Sequence, residues 1–251
     1  MKKLLFTLAI GIAVLTSCES DLVSAPPSDS VGGASSIGDG VLLKKTIEDG
    51  VTFNYFYEGN KLIMIEDSEG GSETYTYTDG LLTKIIEVYL DLDDSSQIFT
   101  ETYEYNSDNK LITESHNGIL AYTFVHNANG TITETESPGG SINVYSYENG
   151  NRMTQVNTNG ENDYLSTYDT NNHPLKNVHQ REALELMAYY AYSNNSLTSE
   201  YTGNGTSYET STTTYTYNSS GYPVTSSEVF TRYVSSTIQS TETFTTQFFY
   251  E

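Results

Sequence analysis

Four histidines, 33 acidic residues and one cysteine are the side chains through which this 251-residue chain could do chemistry. The histidines are His116, His126, His173 and His179, and no His-Glu-x-x-His, Cys-x-x-Cys or glycine-rich phosphate loop accompanies them. His173 and His179 flank a helix-like stretch and could pair on a metal, although surface or packing roles explain them more simply. Carboxylates are so abundant that a glycosidase-like pair can be drawn almost anywhere, so none is singled out. Their one local concentration is Asp91-Leu92-Asp93-Asp94-Ser95-Ser96. Asp91, Asp93 and Asp94 are candidate ligands for a weakly held Ca²⁺, but the run lacks the central glycine and closing glutamate of an EF-hand and reads more plainly as a solvated acidic loop. No Gly-x-Ser-x-Gly elbow occurs either. The expectation is a protein with no catalytic residues and no cofactor, not an enzyme.

The elements that would carry these residues come from a repeat: an aromatic-x-aromatic pair, a polar turn holding Asn, Asp or Gly, then an apolar return. Copies begin at Tyr55-Phe56-Tyr57, Tyr75-Thr76-Tyr77, Tyr103-Glu104-Tyr105, Tyr122-Thr123-Phe124 and Tyr145-Ser146-Tyr147. A degenerate copy at Ser166-Thr167-Tyr168 follows, then Tyr190-Ala191-Tyr192 and Tyr215-Thr216-Tyr217, and Phe248-Phe249-Tyr250 ends the chain as half a unit. Strict alternation, as in Glu73-Thr74-Tyr75-Thr76-Tyr77-Thr78, sets the tyrosines on one face and the threonines on the other. The steps Asp79-Gly80, Asn129-Gly130 and Asn149-Gly150 supply the positive φ of tight hairpins.

Each unit is thus a β-hairpin, and the series predicts an all-β antiparallel meander of about seventeen strands. With no Trp and 22 tyrosines, one sheet face can be covered while the hydroxyls stay hydrated. The meander is expected to curl into an open or nearly closed barrel-like sheet that hides its edges, with a two-sheet sandwich as the alternative. Alternation of Tyr with Thr, Ser and Glu is unlike the apolar outer face of a membrane-spanning barrel. The segment 180–188, with Ala183, Leu184, Met187 and Ala188 at helical spacing, predicts one short helix. Tyr77, Tyr105, Tyr147, Tyr192 and Tyr217 form a candidate ligand face, against which stands the simpler view that these rings are the core.

Residues 1–17 read as a signal peptide, with Lys2 and Lys3 ahead of the apolar run Leu4 to Leu15, too short for a permanent span. Residues 18–40 are poor in large apolar side chains and rich in Pro, Gly and Ser, a flexible tether, and residues 41–251 form a single repeat-built domain. Without a second cysteine there is no disulfide. Losing Lys2 and Lys3 with the signal leaves nine bases against 33 acids, a net charge of −24. Such a surface repels nucleic acid and anionic lipid, and keeps a β protein soluble and monomeric.

Leu15-Thr16-Ser17-Cys18 resembles the lipobox of bacterial lipoproteins, which implies acylation of Cys18 and a membrane contact through the lipid anchor alone. Glu19 and Asp21 resemble the acidic export tag of Bacteroidota surface lipoproteins, favouring the cell surface over the periplasmic face of the outer membrane. The Tyr-x-Tyr-(Asp/Asn)-x-x-Gly-x-Leu theme resembles YD repeats, and with the lipobox it resembles Bacteroidota lipoproteins of unknown function with porin-like antiparallel sheets. His173-Pro174-Leu175-Lys176-Asn177 is similar to the Asn-Pro-Phe-x-Asn element of those proteins, with His173 and Leu175 departing from it. The resemblance spans residues 41–251 and implies a fold and an envelope location without catalytic residues. The resulting expectation is a non-enzymatic binding or structural module with glycan or peptide as ligand. The alternatives are an envelope hydrolase using carboxylates in the sheet's concavity and a Ca²⁺-stabilised scaffold.

Overall fold

A computed structural model describes residues 40–90, 96–158, 163–181, 183–184, 192–203 and 207–251, all within the unit that begins at Ser36. Its strands run in chain order: β1 (Leu43–Glu48), β2 (Val51–Glu58), β3 (Lys61–Asp67), β4 (Ser72–Thr78), β5 (Leu81–Leu90), β6 (Ser96–Tyr105), β7 (Leu111–His116) and β8 (Ile119–His126). There follow β9 (Ile132–Glu136), β10 (Ile142–Glu148), β11 (Asn151–Asn157), β12 (Asp163–Tyr168), β13 (Ser196–Thr202), β14 (Ser207–Tyr217), β15 (Pro223–Val234) and β16 (Thr237–Tyr250). Each strand pairs antiparallel with its sequence neighbours, and β1 pairs with β16, which closes the sheet into a barrel. Among the described residues the meander has sixteen strands, where the repeat count suggests about seventeen. Of the aromatic pair Tyr190-Ala191-Tyr192, expected to open a hairpin, only Tyr192 is among the described residues, and it lies outside any strand.

Turn chemistry follows the expected steps. Asp79 and Gly80 take φ of 52° and 83°, and Asn149 and Gly150 take 53° and 76°, the paired positive values that match a two-residue turn to the twist of its strands. Alternation fixes the faces: Tyr75, Tyr103 and Tyr145 are buried inside the barrel, while Thr74 and Thr76 are exposed outside. Outward hydroxyls pair across strands, as in Thr167 with Thr198 and Thr216 with Thr225, each at 2.6 Å.

One regularity recurs at the second aromatic of the repeats. The register shifts between Phe56 and Tyr57, Thr76 and Tyr77, Glu104 and Tyr105, Ser146 and Tyr147, Thr167 and Tyr168, and Thr216 and Tyr217. In each case the return strand carries one extra residue, a β-bulge that breaks strict alternation. Inward side chains on the return strands consequently stand three apart, as with Leu82 and Ile85, or Leu111 and Glu114, all buried.

In an antiparallel meander alternate connections share an end, so the repeat turns gather at one end together with the first and last described residues. The β12–β13 connection also lies there and folds over that end as a cap. Its Asn177 donates to the Val41 carbonyl at 2.9 Å and the Tyr222 hydroxyl at 2.8 Å. The Leu82 N–H donates to Gln180 Oε1 at 2.9 Å, and the Ser193 N–H donates to the Gly150 carbonyl at 3.2 Å. Leu175, Val178 and Leu184 of the cap join Leu62, Tyr75, Leu82, Ile85, Tyr103, Leu111 and Phe124 in one apolar cluster. Of the expected helix at 180–188, Arg181, Ala183 and Leu184 are helical, Gln180 is a turn residue, and the remainder lies outside the described residues.

Two tyrosines at the capped end invite a direct comparison. Tyr105 donates its hydroxyl to the Leu82 carbonyl at 2.6 Å, whereas the Tyr77 hydroxyl is buried without a partner. Tyr105→Phe is expected to lower stability by about 0.5–1.5 kcal/mol and Tyr77→Phe to leave it unchanged or raise it. Urea midpoints of the two variants that coincided would contradict this.

Candidate functional site: a carboxylate-lined interior

Away from the cap, the interior turns from apolar to acidic. The alternation that turns Tyr75 and Tyr103 inward does the same for Glu73 and Glu101, two residues earlier on β4 and β6, and each tyrosine hydroxyl donates to its glutamate. Glu73 stands directly opposite Glu87 of β5, and Glu101 opposite His116 of β7. Glu114, two residues before His116, is 5% exposed, and Glu134 of β9 accepts from Asn143 and Tyr145 at 2.8 Å each.

The centre of this patch is Glu101, Glu114 and His116, whose ligand atoms all lie within 4.8 Å of one another. His116 Nε2 is 2.5 Å from Glu114 Oε1 and 3.7 Å from Glu101 Oε1. The imidazole is flanked edge-on by Phe99, with ring centroids 5.0 Å apart, and by Tyr122 at 5.6 Å.

Burial dominates the electrostatics. It pushes Glu87 up to about 7, helped by the facing Glu73. It does the same to Glu101, against the Tyr103 hydrogen bond and with the help of the Glu114 and Glu87 charges. Burial likewise raises Glu48, Glu73 and Glu134 above the usual carboxylate range. At His116 burial opposes the proton, but the Glu114 hydrogen bond and the fields of Glu114, Glu101 and Glu87 prevail and raise its pKa. Like charges held in a low-dielectric wall favour protons or other cations nearby.

No family model matches this chain, and no curated protein does. Among solved structures it is similar to a porin-like protein from Bacteroides uniformis, at 19% identity over 80% of this chain and 77% of that one, with a TM-score of 0.39. A superposition that loose lends no weight to any functional reading.

The residues singled out from sequence fall as follows. Cys18 and the candidate Ca²⁺ ligands Asp91, Asp93 and Asp94 lie outside the described residues. Tyr77 and Tyr105 pack against the apolar cluster, Tyr147 is half-buried opposite Arg152, and Tyr192 accepts from Arg152 Nη2 at 2.9 Å while edging onto Tyr168. Tyr217 donates to Asp169 at the start of the cap. These rings hold the capped end together; they do not converge on one exposed face. His173 is half-buried, its pKa driven down to about 3 by desolvation and the Arg181 charge, and its Nδ1 accepts from the Leu175 N–H. His179 Nε2 sits 2.7 Å from the Gly80 carbonyl, so both histidines serve the cap. The carboxylate patch was readable by parity, since Glu73-x-Tyr75-x-Tyr77 and Glu101-x-Tyr103-x-Tyr105 place acid and aromatic on one face.

Proposed function

We propose that this chain is a non-enzymatic binding module of a bacterial cell envelope, anchored through a lipidated Cys18 and the tether up to residue 40, with its barrel standing in water. The hydroxyl-rich outer face supports this, because a bilayer-spanning barrel needs an apolar outer band about 25 Å tall. Most of the exposed large apolar residues, among them Leu90, Ile98, Ile119, Leu165 and Ile238, lie near the uncapped rim, while Phe56, Val125 and Phe249 lie toward the capped end.

The carboxylate-lined interior is the observation that carries the ligand class. Between glycan and peptide it favours a peptide, and a basic one, because a single-sign field inside low-dielectric walls concentrates cations. Oligolysine added to the full chain is expected to raise the melting temperature, with the shift shrinking as salt rises, whereas neutral oligosaccharides leave it unchanged. A shift with neutral sugar and none with oligolysine would reverse the assignment. The closeness of Glu101 to Glu114 also favours a second reading, a hydrolase acting through that pair. Glycan hydrolysis by the full chain that disappears in Glu101→Gln would select it.

A further inference from the structure

We infer that Glu101, Glu114 and His116 form a binding site for one divalent transition-metal cation of the Zn²⁺ class on the inner wall of the barrel. This inference deepens the reading of the interior as cation-receiving and rests on it.

The donor set is the first ground. One imidazole nitrogen and two carboxylate oxygens within 4.8 Å of one another make a three-ligand set of the kind that holds Zn²⁺ with a fourth position left for water. The presence of a nitrogen donor separates this site from an all-oxygen Ca²⁺ or Mg²⁺ site.

The second ground is independent of the donors: the ligands are already aimed. Tyr103 donates to Glu101 Oε2, which leaves Oε1 turned toward His116 Nε2 at 3.7 Å. Such outer hydrogen bonds orient metal-binding carboxylates. Phe99 and Tyr122 fix the plane of the imidazole from two sides. A metal about 2.1 Å from each ligand would part His116 from Glu114 by under about 1 Å, within the reach of side-chain adjustment.

The third ground is charge. Both ion pairs that Glu101 and Glu114 make among the described residues come from His116, and Glu73 and Glu87 face each other close by. One imidazole set among four inward carboxylates leaves a deficit of positive charge in a partly buried place, where an unpaired charge is costly. A divalent cation removes that deficit at a single point.

The test is calorimetric titration of the chelator-treated full chain with ZnCl2, beside CaCl2 and MgCl2. One Zn²⁺ per chain is expected, with affinity lower by more than about 100-fold in His116→Ala and in Glu101→Gln, since loss of even an outer partner costs 10–100-fold. Glu228→Gln, an inward carboxylate bonded to Ser211 on another part of the wall, is expected to bind as the parent does. Co²⁺ loading adds a readout a merely structural histidine would not move: a visible absorption band that changes in His116→Ala. No Zn²⁺ uptake, equal uptake of Ca²⁺, or several weak sites indifferent to His116→Ala would overturn the inference. Oligolysine titrated in parallel separates the two failures. Binding of the peptide without Zn²⁺ removes the metal site alone, and binding of neither removes the cation-receiving interior as well.

Discussion

Asp169→Ala should destabilise the barrel by on the order of 2–4 kcal/mol and release its cap. Asp169 follows directly on β12 and collects donors from three directions. The Asn195 and Asn171 backbone N–H groups each lie at 3.0 Å, the Asn195 side-chain amide at 3.0 Å, and the Tyr217 hydroxyl also donates to it. Asn195 is 1% exposed, so its freed N–H groups would find no water to replace the carboxylate. Burial alone would raise the Asp169 pKa, but these hydrogen bonds outweigh it and the value is lowered. A depressed folded pKa contributes stability above the unfolded value, and that stability is lost as pH falls through the folded one. Parent and variant should therefore differ fully at neutral pH and converge in strong acid. Urea unfolding and limited proteolysis between residues 170 and 184 check both parts. A loss below about 0.5 kcal/mol at pH 7 would mean that the cap is held by its apolar contacts alone.

The chelator-treated protein should lose stability as pH rises from 5 to 8. Glu87 and Glu101 have folded values of about 7 against 4.5 for an exposed side chain. Between those limits the native state holds protons that the unfolded chain has shed, and stability falls with rising pH wherever the folded state binds more protons. His116 works in the same direction, because its raised folded pKa contributes stability that disappears as pH climbs through it. Glu101, with 13% of its side chain exposed, would account for roughly 2–3 kcal/mol. Glu101→Gln removes the titrating group and keeps the acceptor for Tyr103, so it should raise the melting temperature at pH 8 and flatten the profile. A melting temperature that climbs from pH 5 to 8 would show the interior to be wet enough to keep its acids charged.

Hairpins were legible in the chain because period-two alternation and Asx-Gly steps are local signals, and Tyr75, Asp79-Gly80 and Asn149-Gly150 behave as those signals require. Closure was only half legible, since nothing near Leu43 announces that its partner is Tyr250. The repeat at Tyr190-Ala191-Tyr192 was the least legible, since its described residue Tyr192 turns its ring onto Arg152 and Tyr168 inside the cap. The bulges were hidden for a different reason: the three-residue spacing of Leu82 and Ile85 looks like a loose apolar stretch until the register is known. Glu73 and Glu101 share a face with the tyrosines by simple parity, but among 33 acids their number masked their placement. The approach of His116 to Glu101 depends on the β6–β7 register, which the loop lengths alone did not specify.

The seam between β1 and β16 shapes how the molecule is made. Every other strand pair joins neighbours along the chain, and all but β12–β13, which the cap separates, can zip as soon as a hairpin emerges, with little loop entropy to overcome. The seam joins the first strand to the last, so β1 keeps an unpaired edge through the synthesis of everything that follows. Once it forms, Leu42 and Glu251 exchange backbone hydrogen bonds at 3.3 and 3.2 Å. A short peptide could join these residues and new ends be cut at an exposed turn such as Asn117-Gly118, giving a circular permutant with the same pairings and a different last edge to close.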